Sequence, residues 1–245
     1  MAAAGDIAAA DDLETGAARS AALITDRDPA AVIAVGDLAY DSGTVEDFDR
    51  YYDPTWGAFK GRTLSVPGNH EYGRSEGSGY LDYFGDDAGE SRGVDLCGWR
   101  ILLVNQYEGV EDGAQFIAED AAAHPRAPLI VVLHEPRFSS GDKHGSDSDM
   151  QPLWSAAVRA GADIVLNAHD HDYERFEPLD ETGESGPRRH DTIRHWARRP
   201  PPARLRRRHR RRVGSALHRH PGRLVPHLAF RRVLMGGAVS QRGDR

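Results

Sequence analysis

The chain has 245 residues and a formal charge of −7, with 39% hydrophobic and 28% charged side chains. That balance supports a packed core and excludes a wholly disordered chain. No apolar run approaches the roughly 20 residues that span a bilayer, and the single cysteine, Cys97, excludes an intrachain disulfide framework or a cysteine-based zinc cage. The charge is unevenly divided. Residues 188–245 hold 18 Arg, no Lys and two acids (Asp191 and Asp244), a balance of +16, which leaves 13 basic and 36 acidic side chains, or −23, in residues 1–187.

Residues 2–8 (AAAGDIA) read as a short apolar strand ending near Asp6, followed by a helix over about 14–25 with Ala17, Ala18, Ala21, Ala22 and Leu23 on one face. Ala31–Val35 is a buried-strand pattern that stops at Gly36-Asp37. Thr44 and Asp47 form a capping pair for a helix carrying Phe48 and Tyr51. Thr63–Val66 is another strand, stopped by Pro67-Gly68-Asn69-His70, and 72–93 reads as a Gly-, Ser- and Tyr-rich loop. A strand over 99–105, a helix over 113–123, a strand over 128–133 that ends at His134, a helix over 150–160 and a strand over 162–167 complete the series. This alternation predicts an α/β layered domain. The tail segment 196–212 (WARRPPPARLRRRHRRR) has no amphipathic period.

Five strand ends carry polar residues with metal chemistry: Asp6, Asp37 with Tyr40, Asn69 with His70, His134, and His169 with His171. The carboxyl ends of strands are where α/β folds build their sites. Oxygen and imidazole donors suit zinc, manganese or iron. The two-residue spacing of His169 and His171 on a loop lets two imidazoles serve two neighbouring ions, whereas one ion on a helix would use i, i+4 spacing. Singly, each has an ordinary reading: Gly-Asp and Gly-Asn are turn dipeptides, His134 a satisfied core histidine, His-Asp-His a solvated loop. Together they offer seven candidate ligands to one metal site.

Gly36-Asp37-Leu-Ala-Tyr40, Gly68-Asn69-His70-Glu71, Val131-Val-Leu-His134 and Ala168-His169-Asp-His171-Asp-Tyr-Glu-Arg175 resemble the ordered motifs of the calcineurin-like metallophosphoesterases. The tyrosine after Gly-Asp and the His-x-His-x-Tyr-Glu-Arg run are similar to the purple acid phosphatase branch and its bacterial relatives, often labelled alkaline phosphatases. The resemblance covers about residues 2–180. It implies a sandwich of two central β-sheets flanked by helices, here incomplete at the C-terminus. It also implies two metal ions, with Asp37 bridging both. Asp6, Tyr40 and His171 would complete the first site, and Asn69, His134 and His169 the second. His70 would stand near the phosphate or leaving group as the catalytic partner of Asp37. A tyrosinate at Tyr40 favours iron(III) in the first site, with zinc, manganese or iron(II) in the second. The implied activity is hydrolysis of small phosphate esters, most simply monoesters, by metal-activated water. Phosphodiester hydrolysis and an inactive remnant that only binds metal or polyanion are the alternatives. Arg137 is a candidate phosphate contact or an ordinary surface charge. Two departures stand out: the first motif reads Asp6-Ile7-Ala8 where the family has Asp-x-Gly, and Ala168 replaces the usual Gly.

The expected organisation is a catalytic domain over 1–187 and an Arg-rich tail over 188–245. Arg, Pro, Ala, Gly and His without Lys is the composition that out-of-frame translation of a GC-rich gene produces. A solvated tail or a nucleic-acid-binding arm would be the alternatives. Neither a membrane nor a nucleic-acid partner is expected, the Arg-rich tail being the single feature that points to nucleic acid. Met1–Asp6 shows no basic region and no long apolar stretch, which makes the cytoplasm the default, while relatives of the resembled branch are often exported, so the sequence leaves localisation open.

Overall fold

The computed structural model describes residues 1–10, 16–185 and 234–235. The expected tail lies outside the described residues, apart from Leu234–Met235. Among the described residues, eight strands form two four-stranded sheets. One has the order β3-β2-β1-β8, built from Thr63–Val66, Val32–Val35, Ala2–Ala4 and Leu234–Met235. All its pairings are parallel. The other has the order β4-β5-β6-β7, from Arg92–Leu96, Trp99–Leu103, Leu129–Val132 and Ile164–Leu166, with only the β4–β5 pair antiparallel. The two-sheet α/β sandwich expected from the sequence is the fold.

The sheets face each other across Ile33, Val35, Val66, Ile101, Leu103, Ile130 and Val132. The outer face of the first sheet is covered by α1 (Gly16–Arg27) and by the segment that begins with α2 (Val45–Asp47), where Phe48, Tyr52 and Trp56 are fully buried. The second is covered by α5 (Val110–Ala123) and α6 (Gln151–Ala160), through Ile117, Leu153 and Ala157. Near-continuous apolar runs such as Val32–Val35 are what strands buried on both faces require. The box joining Thr44 and Asp47 caps α2 as expected.

Three expectations need correction. The buried face of α1 is Ala17, Ala21 and Ile24, while Leu23 is 54% exposed; the 3.6-residue stripe sits one step round the helix. The segment 72–93 is not a loop. It holds α3 (Asn69–Ser75), α4 (Ser78–Phe84), a 3-10 turn and the start of β4. Tyr80 anchors α4 from a fully buried position, with its hydroxyl 2.8 Å from Ser65 Oγ. The strand expected over 2–8 ends at Ala4, beyond which only Ala8 bridges to Ala39.

Candidate metal centre

Each of the five parallel strands β1, β2, β3, β6 and β7 ends in a loop that delivers one or two of the expected ligands. The loops are tied to one another by backbone bonds. Asp6 N–H donates to Gly36 C=O (3.0 Å), Ile7 N–H to Asp37 C=O (2.9 Å) and Ala168 N–H to His134 C=O (2.9 Å). Across the two sheets, His169 N–H donates to Asp6 Oδ2 at 3.0 Å. Gly36, at φ +79°, admits the His134 ring where a Cβ would stand. Asp6, Asp37, His169 and His171 have φ of 54°, 50°, 76° and 56°, the left-handed region that costs a side-chain-bearing residue energy. Their side chains converge on one point. Ala168 is not among the positive-φ residues, so a methyl there is tolerated.

The donors fall into two groups that share Asp37. Tyr40 Oη lies 3.0 Å from Asp6 Oδ1, 3.0 Å from His171 Nε2 and 3.2 Å from Asp37 Oδ2. On the other side, the same Asp37 Oδ2 lies 3.4 Å from His134 Nε2, which is 3.2 Å from Asn69 Oδ1. Donor atoms of Asp37, His134 and His169 lie within 4.8 Å of one another, a grouping able to hold a metal ion. Fully buried His134 sets its Nδ1 2.8 Å from Val35 C=O. A carbonyl only accepts, so Nδ1 carries the proton and Nε2 is the atom offered to the centre. His70 donates its backbone N–H to Asp37 Oδ1 (2.9 Å) and packs edge-on to Tyr40 at 4.5 Å. Its Nδ1 is 2.6 Å from Asp41 C=O, and its Nε2 is 3.8 Å from Asp37 Oδ2.

The electrostatics fit a cation. Burial pulls the His134 imidazole down, but the hydrogen bond and charge of Asp37 outweigh it and push it up to about 9. Burial pushes the Asp37 carboxyl up, yet the hydrogen bond and charge of His134 bring it down to about 2. Asp37 thus draws positive charge to this point. Burial raises Asp6, and burial followed by the Asp6 and Asp37 charges raises the Tyr40 phenol. Burial, then the charges of His134 and His144, lower His169 to about 4. Its buried Nδ1 has no hydrogen-bond partner. A neutral, orphaned imidazole nitrogen beside a carboxylate is what a metal ligand looks like without its ion.

All eight expected residues therefore meet at one place. Arg137 points elsewhere: its Nε donates to Gln151 Oε1 at 2.6 Å and its guanidinium lies over Phe138. Two sets of residues went unassigned in the sequence. Glu71, fully buried, accepts four backbone N–H groups: Leu38 (2.9 Å) and Ala39 (3.2 Å) on Oε1, Asp37 (2.9 Å) and Gly68 (2.8 Å) on Oε2. Its place at the third position of a helix starting at Asn69 was the available signal. Burial and the Asp37 charge push its carboxyl up to about 7. Lys143 and His144 also reach the centre. Lys143 Nζ is 3.0 Å from His171 Nε2, and the His144 ring lies 4.1 Å from that of His169.

A profile of the calcineurin-like phosphoesterase family matches residues 4–173, a span that contains the first three motifs and the fourth as far as Tyr173. Purple acid phosphatase 21 of Arabidopsis thaliana is 29% identical over 93 residues, 35% of this chain and 21% of that protein. The chain thus spans about a fifth of that relative's length. Among solved structures, GAP50, the anchor in the inner membrane complex of Plasmodium, superposes with a TM-score of 0.58 at 14% identity, covering 73% of this chain and 68% of that one. This last likeness concerns the fold alone.

Proposed function

The chain belongs to the calcineurin-like phosphoesterase family, and from that premise we propose that it hydrolyses phosphate monoesters at a centre of two metal ions. The observation that carries this reading is the position of Asp37 Oδ2, 3.2 Å from the Tyr40 phenol on one side and 3.4 Å from His134 on the other. Asp6, Tyr40 and His171 would hold one ion, Asn69, His134 and His169 the other, and Asp37 both. Such a pair of ions supplies charge to bind a phosphate and lowers the pKa of a water that attacks it. In a domain carrying −23, this local positive charge is what admits an anionic substrate.

The protein's own groups do the positioning. Asp41 C=O fixes the His70 tautomer by accepting from Nδ1, which leaves Nε2 facing the Asp37 carboxylate and able to hold the proton a leaving alkoxide takes up. The Val35 carbonyl does the same for His134. The phenol at Tyr40 supports iron in the first site, with zinc, manganese or iron in the second. The test is to load the protein with iron, zinc or manganese, measure metal per chain, and assay p-nitrophenyl phosphate against bis-p-nitrophenyl phosphate. Two ions per chain, faster hydrolysis of the monoester and loss of hydrolysis in His169→Ala are expected. Two ions with no hydrolysis of either ester would leave a metal-binding remnant, and preference for the diester would make the protein a phosphodiesterase.

A further inference from the structure

The loop 139–145 is strapped to the segment that carries His169 and His171 by two carboxylates. Asp170, only 6% exposed, accepts from Ser139 Oγ and from the backbone N–H groups of His144 (2.9 Å) and Gly145 (3.1 Å). Glu174 accepts from Ser140 Oγ and from Ser140 N–H at 3.0 Å. The contact is close at Gly141, where an added Cβ would enter the Asp170 carboxylate, so the loop backbone lies flat on that side chain. Asp170 stands between His169 and His171 in the chain, and its side chain turns away from both into the loop. The strap sets the Lys143 ammonium at the solvent edge of the centre, against His171.

We propose, on the phosphoesterase reading above, that Asp170 is a positioning residue that holds Lys143 as a contact for the second negative charge of a phosphate monoester. His171 offers Nε2 to the centre, between Tyr40 and Asp6. Were His171 Nε2 to serve as a metal ligand, its lone pair would no longer be open to the Lys143 ammonium, which would then turn to another acceptor. An oxygen of a bound ester would be an acceptor of the right charge at that edge. A monoester carries close to two negative charges near neutral pH and a diester one. A cation at the rim therefore separates the two classes, and it does so without being a metal ligand. The −23 charge of residues 1–187 makes one well-placed ammonium matter more.

The experiment uses the full chain loaded with metal and compares wild type, Lys143→Gln, Asp170→Asn and the double variant on the two p-nitrophenyl esters. Metal per chain is measured for each. Lys143→Gln is expected to lower kcat/KM for the monoester about tenfold, mainly through KM, and to change the diester less than about threefold, the scale of one charge-assisted hydrogen bond. Asp170→Asn is expected to show the same split, and the double variant to fall no further than Lys143→Gln. Equal losses on both esters, or additive losses in the double variant, overturn the proposal. If Asp170→Asn loses metal, Ser139→Ala, which deletes a donor to the same carboxylate, replaces it under the same expectations. If metal-loaded wild type hydrolyses neither ester, the phosphoesterase reading falls. Calorimetry with inorganic phosphate then decides the role of Lys143: about tenfold weaker binding in Lys143→Gln supports it, and equal binding refutes it.

Discussion

Replacing Glu71 with Gln changes one atom and no shape, yet the geometry around it makes the change costly. Glu71 Oε1 takes two backbone N–H donors and Oε2 takes two more, all from Asp37–Ala39 and Gly68. A glutamine keeps one oxygen and turns its NH2 toward the other two donors, which are buried and have no other acceptor at hand. Each unsatisfied donor costs about 1–3 kcal/mol. Relief from burying a charge recovers part of that, so the net loss is about 3 kcal/mol. For a domain of this size about 1 kcal/mol moves Tm by roughly 2–4 °C, so Tm should fall by roughly 6–12 °C. Thermal unfolding should be followed at pH 8, above the value of about 7 to which burial and Asp37 raise the carboxyl, so that the wild-type side chain is the acceptor its donors need. The same four bonds join the loop of Asp37 to the loop of Asn69, so metal affinity should fall as well. A Tm within about 1 °C of wild type, with unchanged metal binding, would refute this reasoning, because about 3 kcal/mol cannot hide in so small a shift.

Chelation should lower Tm by roughly 5–10 °C from the metal-loaded state, since a ligand at about 100 times its Kd adds about 2.7 kcal/mol; equal melting of the loaded and stripped protein refutes a metal site. Away from the centre, Arg100 holds Asp120 through Nε (2.9 Å) and a second nitrogen (2.5 Å), and this lowers the Asp120 carboxyl. A depressed carboxyl stabilises the fold above the ordinary carboxylate pKa and loses that contribution as pH falls through its folded value. Asp120→Ala should therefore melt below wild type at pH 7, and the gap should close on acidification below about pH 4; a gap that widens on acidification refutes the assignment. For the tail we propose a shifted reading frame: independent sequencing of the gene should show an insertion or deletion within codons 181–196, and an intact frame with peptides from 213–245 found by mass spectrometry refutes it.

The strand ends were legible because β2, β6 and β7 are short apolar runs that give way to polar residues and β3 is stopped by Pro67-Gly68-Asn69, and that break is itself the geometry of the centre. Val32–Val35 stops at Gly36-Asp37 and Leu129–Val132 is followed one residue later by His134, so periodicity and motif agree there. What was not legible depends on contacts between distant parts. Composition makes 72–93 look like a loop, but Tyr80 reaches Ser65 and Ala88 from a fully buried position, and tertiary packing overrides the weak local preference. The β4–β5 turn at Cys97-Gly98 has both residues at positive φ (53° and 82°), a hairpin geometry that a Cys-Gly pair does not announce. Apart from the Gly68 N–H three residues before Glu71, the partners of Glu71 and Asp170 lie 25 to 34 residues away, and no local spacing encodes those bonds.

The left-handed backbone at Asp6, Asp37, His169 and His171 decides how this centre can be dissected. Alanine at any of these positions removes a donor and also places a residue poorly suited to that φ, so an alanine scan would read chemistry and conformational cost together. Asparagine, like aspartate and histidine, is several-fold enriched in the left-handed region relative to residues such as alanine. Asp6→Asn and Asp37→Asn would suit the turns while withdrawing the negative charge and one of the two accepting oxygens, and His169→Asn and His171→Asn would exchange the imidazole for an amide. The difference in melting temperature between the asparagine and alanine variants at one position would then combine what the chain spends to turn that corner with the side-chain bonds that the amide retains.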